Sequence, residues 1–226
     1  MKKYFVFLLI FGMFVCEYFL NTLPELGYIL YAVLIGFSLI ILSKIDMIND
    51  NGKLLLVLLT VPMLRIAEVF FDFSFFWKTF AFYLLFATLV SYYFIRFDFK
   101  AKFYRTPLKF VIISVVLGIL LGISGNYIVN LGADKSLLIL APLIAFSEEL
   151  WLRGMIQNIV RKEHGSNMGI LAAALVYFVF SFSFGILPAI FFFAAGLLIG
   201  ALYQYTKNIT LCMIANLCMT AIILAI

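Results

Sequence analysis

Very little of this 226-residue chain can be placed in water. Apolar runs of about 17 to 25 residues, the length that spans a bilayer as helix, follow one another from end to end. They lie near 4–20, 27–43, 54–72, 77–95, 109–130, 137–160, 168–184, 187–204 and 208–226. Turn-type clusters separate them: Asn21-Thr22-Leu23-Pro24, Asn49-Asp50-Asn51-Gly52, Gly132-Ala133-Asp134, Gly165-Ser166-Asn167 and Gly185-Ile186-Leu187-Pro188. Hydrocarbon offers no partner to a backbone N–H or C=O, so such runs fold as helices. The expectation is an all-α fold, a polytopic membrane helical bundle of eight or nine transmembrane helices. A composition of 66% hydrophobic and 12% charged residues, with a mean hydropathy of +1.17, excludes a soluble globular domain.

The net charge of +5 needs no nucleic acid to explain it, because the basic residues fall mostly in the connections. With the N-terminus in the cytoplasm, the inner connections hold Lys2 and Lys3; Lys44 and Lys53; Arg96, Lys100, Lys102, Arg105 and Lys109; Arg161 and Lys162; and Lys207. The outer ones hold little beyond Lys78 and Lys135. A nine-span arrangement thus obeys the positive-inside rule at every connection, and merging two short spans into a re-entrant pair would leave eight. The expected location is the plasma membrane, and lipid is the first expected partner. The first run has the basic end of a secretory signal without a small-x-small cleavage site, and is read as a retained span. Cys16, Cys212 and Cys218 lie in apolar segments without metal spacing and are read as packing residues.

Charge inside a span is costly and calls for a partner. The third span carries Arg65 and Glu68, three residues apart and able to pair along one helical face. Glu17 lies near the outer end of the first span, where it is expected to reach the interface. The sixth span contains FSEELWLRGMIQ, residues 146 to 157. Glu149 and Arg153 are four apart and share a face, while Glu148 is rotated by about 100°. Glu148 is expected either to enter a cavity or to seek another partner such as Arg65. Two carboxylates beside one guanidinium leave one acid partly uncompensated, and such a group can serve as a general base toward water. The alternative is a charge knot that fixes helix packing.

Glu148-Glu149-Leu150-Trp151-Leu152-Arg153 resembles the E-E-x-x-x-R signature of the CAAX protease and bacteriocin-processing (Abi) family of intramembrane proteases. The resemblance extends over about residues 105–226, with GLLIGALY at 196–203 similar to the glycine-bearing helix between the second and third motifs. It implies residues 1–104 as N-terminal helices and 105–226 as the family's core. It also implies peptide-bond hydrolysis in a polar cavity closed off from lipid, by a glutamate and a histidine with further side chains for the oxyanion. The second motif, F-x-x-x-H, falls on Phe178 to Phe182, with Phe182 in the histidine position, or Ser181 after a slip of one residue. The third, H-x-x-x-N or H-x-x-x-D, falls on Asn216 and Thr220. The chain's one histidine, His164, lies in the connection RKEHGSN and is read as a surface loop residue.

Glu148, Glu149, Arg153 and Asn216 are thus the candidate catalytic residues. Ser181, Phe182, Thr220, Arg65 and Glu68 are candidate cavity residues, and no metal or cofactor is expected. Phenylalanine cannot titrate or donate, so the reading is a protein with an incomplete protease site that binds a membrane partner or hydrophobic peptide. Family analogy adds bacteriocin immunity or cell-envelope control as a role. An active endopeptidase with Glu148 or Glu149 as base, and a small transporter, are the alternatives.

Overall fold

The computed structural model describes residues 3–44, 49–71, 74–99, 106–129 and 135–225, residues 3–5 by their backbone alone. Lys2, Lys100, Lys102, Arg105 and the Gly132-Ala133-Asp134 cluster lie outside the described residues. The described residues form helices without a strand, in nine rods at the positions of the nine predicted spans. Six rods are α1 (Lys3–Thr22), α2 (Pro24–Leu42), α5 (Phe75–Arg96), α6 (Leu108–Ile128), α10 (Ile186–Thr206) and α11 (Ile209–Ala225). A seventh is α9 (Ser166–Ser181), extended by the 3-10 turn Phe182–Phe184.

The other two rods are irregular, and they carry Arg65 and the Glu148-Glu149-Arg153 triplet. The first joins α3 (Asp50–Leu58) to α4 (Thr60–Ala67) across Leu59, ahead of Pro62, whose ring cannot donate to the helix ladder. The second begins as the 3-10 turn Lys135–Leu140 and continues as α7 (Ala141–Glu149), the π-helix Leu150–Gln157 and α8 (Asn158–His164). His164 ends this last helix instead of standing in a loop, because the chain does not leave the helix until Gly165. Gly165 and Gly185, with φ of 88° and 107°, each reverse the chain in a single residue, a conformation that favours glycine.

By length and apolar composition, α2, α5, α6, Ser166–Phe184 and α10 can each cross a membrane; Val6–Thr22 and Ile209–Ala225 are shorter apolar helices. The chain is a multi-pass membrane protein. With no hydrophobic drive between helices in lipid, close packing must hold the rods together. Ser114, Gly118, Gly122 and Gly125 form a buried small-residue stripe on α6 that lies against α11. A Cβ at Gly122 would stand 2.7 Å from the Ile222 Cβ. The helix α9 packs along α10 in the same way, and α7 is held between α5 and α11.

The charges outside the core segregate. Lys53 Nζ donates to Phe97 O at 3.5 Å, and Gln204 and Ser166 are hydrogen-bonded through their side chains. With α3 against α8, these contacts collect Lys53, Arg96, Arg161, Lys162 and Lys207 at one end of the bundle. Lys78 and Lys135 stand at the other.

Candidate functional site

Glu148 and Glu149 end α7, and from Leu150 the chain widens to π-helical pairing, which is frequent at functional positions. All eight residues of the π-helix are buried. Trp151 locks it to the interrupted rod: its indole N–H donates to Val57 O at 2.9 Å, and its ring meets Phe86 edge-on.

The two glutamates face different surroundings. Glu148 accepts three hydrogen bonds, from Tyr83 (3.0 Å), Tyr177 (2.9 Å) and Asn216 Nδ2 (3.1 Å). It does not meet Arg65. Glu149 Oε2 lies 3.3 Å from Arg153 Nε, the ion pair expected from their spacing, and its Oε1 accepts from Asn216 Nδ2 at 3.0 Å. One amide thus ties both carboxylates together, and Thr220 donates to Asn216 Oδ1 at 3.1 Å. The Arg153 guanidinium and Gln157 Oε1 are buried without a hydrogen-bonding partner among the described residues.

A second charge cluster sits on the neighbouring rods. Arg65 Nε contacts Glu17 Oε1 at 2.7 Å and its Nη1 contacts Glu68 Oε2 at 2.9 Å. Its Nη2 donates to Phe180 O (3.1 Å) and Ser183 Oγ (3.0 Å), so the guanidinium holds the end of α9 in place. The Arg65–Glu68 pair is as the sequence predicts, and Glu17 is not. Glu17 is fully buried, with Tyr31 donating to it at 2.7 Å, because Arg65 draws it inward from another rod.

Between the two clusters lies a cavity of about 790 Å³. At its buried end are Glu148, Tyr83, Tyr177, Ser181 and Thr220; Arg65, Glu68 and Ser183 line another part. The walls are apolar, with Phe82, Phe180, Phe192 and Ile144, and it reaches the surface past the exposed rings of Phe75 and Phe184 and the side chain of Leu187. Of the nine residues singled out in the sequence, Glu148, Ser181, Thr220, Arg65 and Glu68 line the cavity. Glu149, Arg153 and Asn216 stand behind it. Phe182 packs against Phe14 and Phe178, so of the two residues aligned with the motif's histidine it is Ser181 that faces the cavity.

Tyr83 and Tyr177 were not legible as site residues, since tyrosine in an apolar run equally suits packing or an interface. His164 is at the opposite end, 3.6 Å from Glu163. Among the described residues, no three His, Cys, Asp or Glu side chains converge as a metal site would require.

Residues 135–222 match the family model described as type II CAAX prenyl endopeptidase Rce1-like. No curated protein and no solved structure matches the chain. The matched stretch supplies Glu148, Glu149, Arg153, Tyr177, Ser181, Asn216 and Thr220, while Tyr83, Arg65, Glu68 and Glu17 come from outside it. Residues 135–222, which carry the Glu-Glu-x-x-x-Arg segment to the buried end of the cavity, thus match an Rce1-like domain of the CAAX protease and bacteriocin-processing family.

Proposed function

We propose that this protein binds an apolar peptide, or an apolar segment of another membrane protein, in the cavity, with little or no hydrolysis. The observation that carries this reading is the make-up of the cavity's buried end. Glu148 is presented there beside Ser181 and Thr220, but the chain's one histidine lies at the far end of the bundle. A carboxylate can accept a proton from water and return it to the leaving amine, but here it would do so without a histidine beside it to share the acid–base work, so hydrolysis is expected to be slow at best.

Asn216 suits this role poorly as an oxyanion donor, because its amide is already given to both glutamates. The same cavity supports a second reading, a slow endopeptidase with Glu148 as base and Ser181 as the remaining hydroxyl donor. The segregation of Lys53, Arg96, Arg161, Lys162 and Lys207 favours a cytoplasmic N-terminus, with the cavity mouth facing outward. A plasma-membrane setting and a partner connected with bacteriocin immunity or the cell envelope complete the proposal.

The two readings separate in phosphatidylcholine nanodiscs with a library of internally quenched apolar peptides. Saturable binding above that of empty discs, with no hydrolysis beyond that of Glu148→Gln, is the expected result. Turnover that Glu148→Gln abolishes establishes the endopeptidase instead, and binding equal to that of empty discs removes both.

A further inference from the structure

The charges of the two clusters beside the cavity do not balance. Arg65 is shared by two carboxylates, Glu17 and Glu68. Arg153 is committed to Glu149 behind the wall. Among the described residues, Glu148 has no cationic partner; its oxygens are met by two tyrosine hydroxyls and an amide. The two clusters beside the cavity thus set Glu68 and Glu148 on its lining, and Glu17 behind Arg65, against the single guanidinium of Arg65. The remaining charged residue of the lining, Lys78, is partly exposed on the first turns of α5, near the mouth.

The walls point the same way. Phe82 and Phe180 already stack around the Arg65 guanidinium, with centroids 6.0 Å and 5.7 Å from its carbon. Tyr83, Tyr177 and Phe192 continue the aromatic lining toward Glu148. Ring faces attract an organic cation, and more strongly where water is displaced. A second anion placed here would meet uncompensated carboxylate, whereas an ammonium or guanidinium group would complete the pairing.

We propose that the cavity selects a peptide carrying a positive group, a lysine or arginine side chain or a free amino terminus, and seats it against Glu148. This rests on the reading of the cavity as a peptide site. The apolar remainder of the peptide lies along the aromatic walls, and the cation supplies the counter-charge that the fold withholds from Glu148.

The test uses two hexapeptides of alanine and leucine, acetylated and amidated so that neither end is charged. They differ at one central position, lysine in one and its uncharged analogue norleucine in the other. Binding to the protein in phosphatidylcholine nanodiscs is measured by calorimetry, with empty discs as baseline. The lysine peptide is expected to bind about tenfold more tightly, a margin within reach of a desolvated cation over aromatic rings. The margin should vanish in Glu148→Gln and persist in Glu25→Gln, which alters an exposed carboxylate on α2. Equal binding of the two peptides to the unmodified protein overturns the cationic preference and leaves the peptide site standing. Binding of neither overturns both, and a margin that survives in Glu148→Gln overturns the assignment to that residue.

Discussion

Adjacent in sequence, Glu148 and Glu149 are separated by about 100° around the helix, which sends one carboxylate into the cavity and the other to Arg153. The pairing of Glu149 with Arg153 was legible from their spacing alone. The surroundings of Glu148 were not, because Tyr83, Tyr177 and Asn216 come from three other rods. Nor was the burial of Glu17, whose partner Arg65 lies 48 residues along the chain. For the buried pair, removing one partner leaves an uncompensated charge, at a cost of about 3–5 kcal/mol. Arg153→Met is therefore expected to lower thermal stability sharply, and Arg153→Met combined with Glu149→Gln to recover a good part of it. A double variant whose loss equals the sum of the single losses shows that the two side chains are not coupled.

At the scale of elements, the rods were legible because a backbone in hydrocarbon has to satisfy itself. The break at Leu59 and the π-helical stretch Leu150–Gln157 were not, since neither changes the apolar character by which the runs were found. The packing of α6 against α11 depends on residues without bulk, and a side chain at Gly122 would enter Ile222. Overpacking of this kind costs about 1–3 kcal/mol. Gly122→Leu should thus unfold at a lower temperature in detergent, while Gly36→Leu, at a position on α2 with no neighbour in reach, should not. Equal melting of the two variants contradicts the stripe's role. Because α11 carries Asn216 and Thr220, loss of this contact is also expected to weaken peptide binding.

For the whole molecule, the family-matched segment and the preceding helices build one cavity between them: Glu148 comes from the former, Arg65 and Tyr83 from the latter. The proposed orientation rests on the separation of basic residues to the end away from the mouth. Lys162 and Lys135 are exposed at opposite ends of one rod. In intact cells, a membrane-impermeant thiol reagent is expected to label Lys135→Cys and not Lys162→Cys. The reverse pattern places the mouth in the cytoplasm.

The central claim, that the cavity holds an apolar peptide against Glu148, is tested most directly by photo-crosslinking. A lysine-bearing apolar peptide with a benzophenone side chain would be irradiated on the protein in nanodiscs and the adducts mapped by mass spectrometry. The account predicts adducts concentrated on the cavity wall, at Tyr83, Phe180, Phe192 and Thr220, and their loss in Glu148→Gln. Adducts spread over lipid-facing side chains such as Ile40, Leu120 and Ile190, unchanged by that substitution, would contradict it.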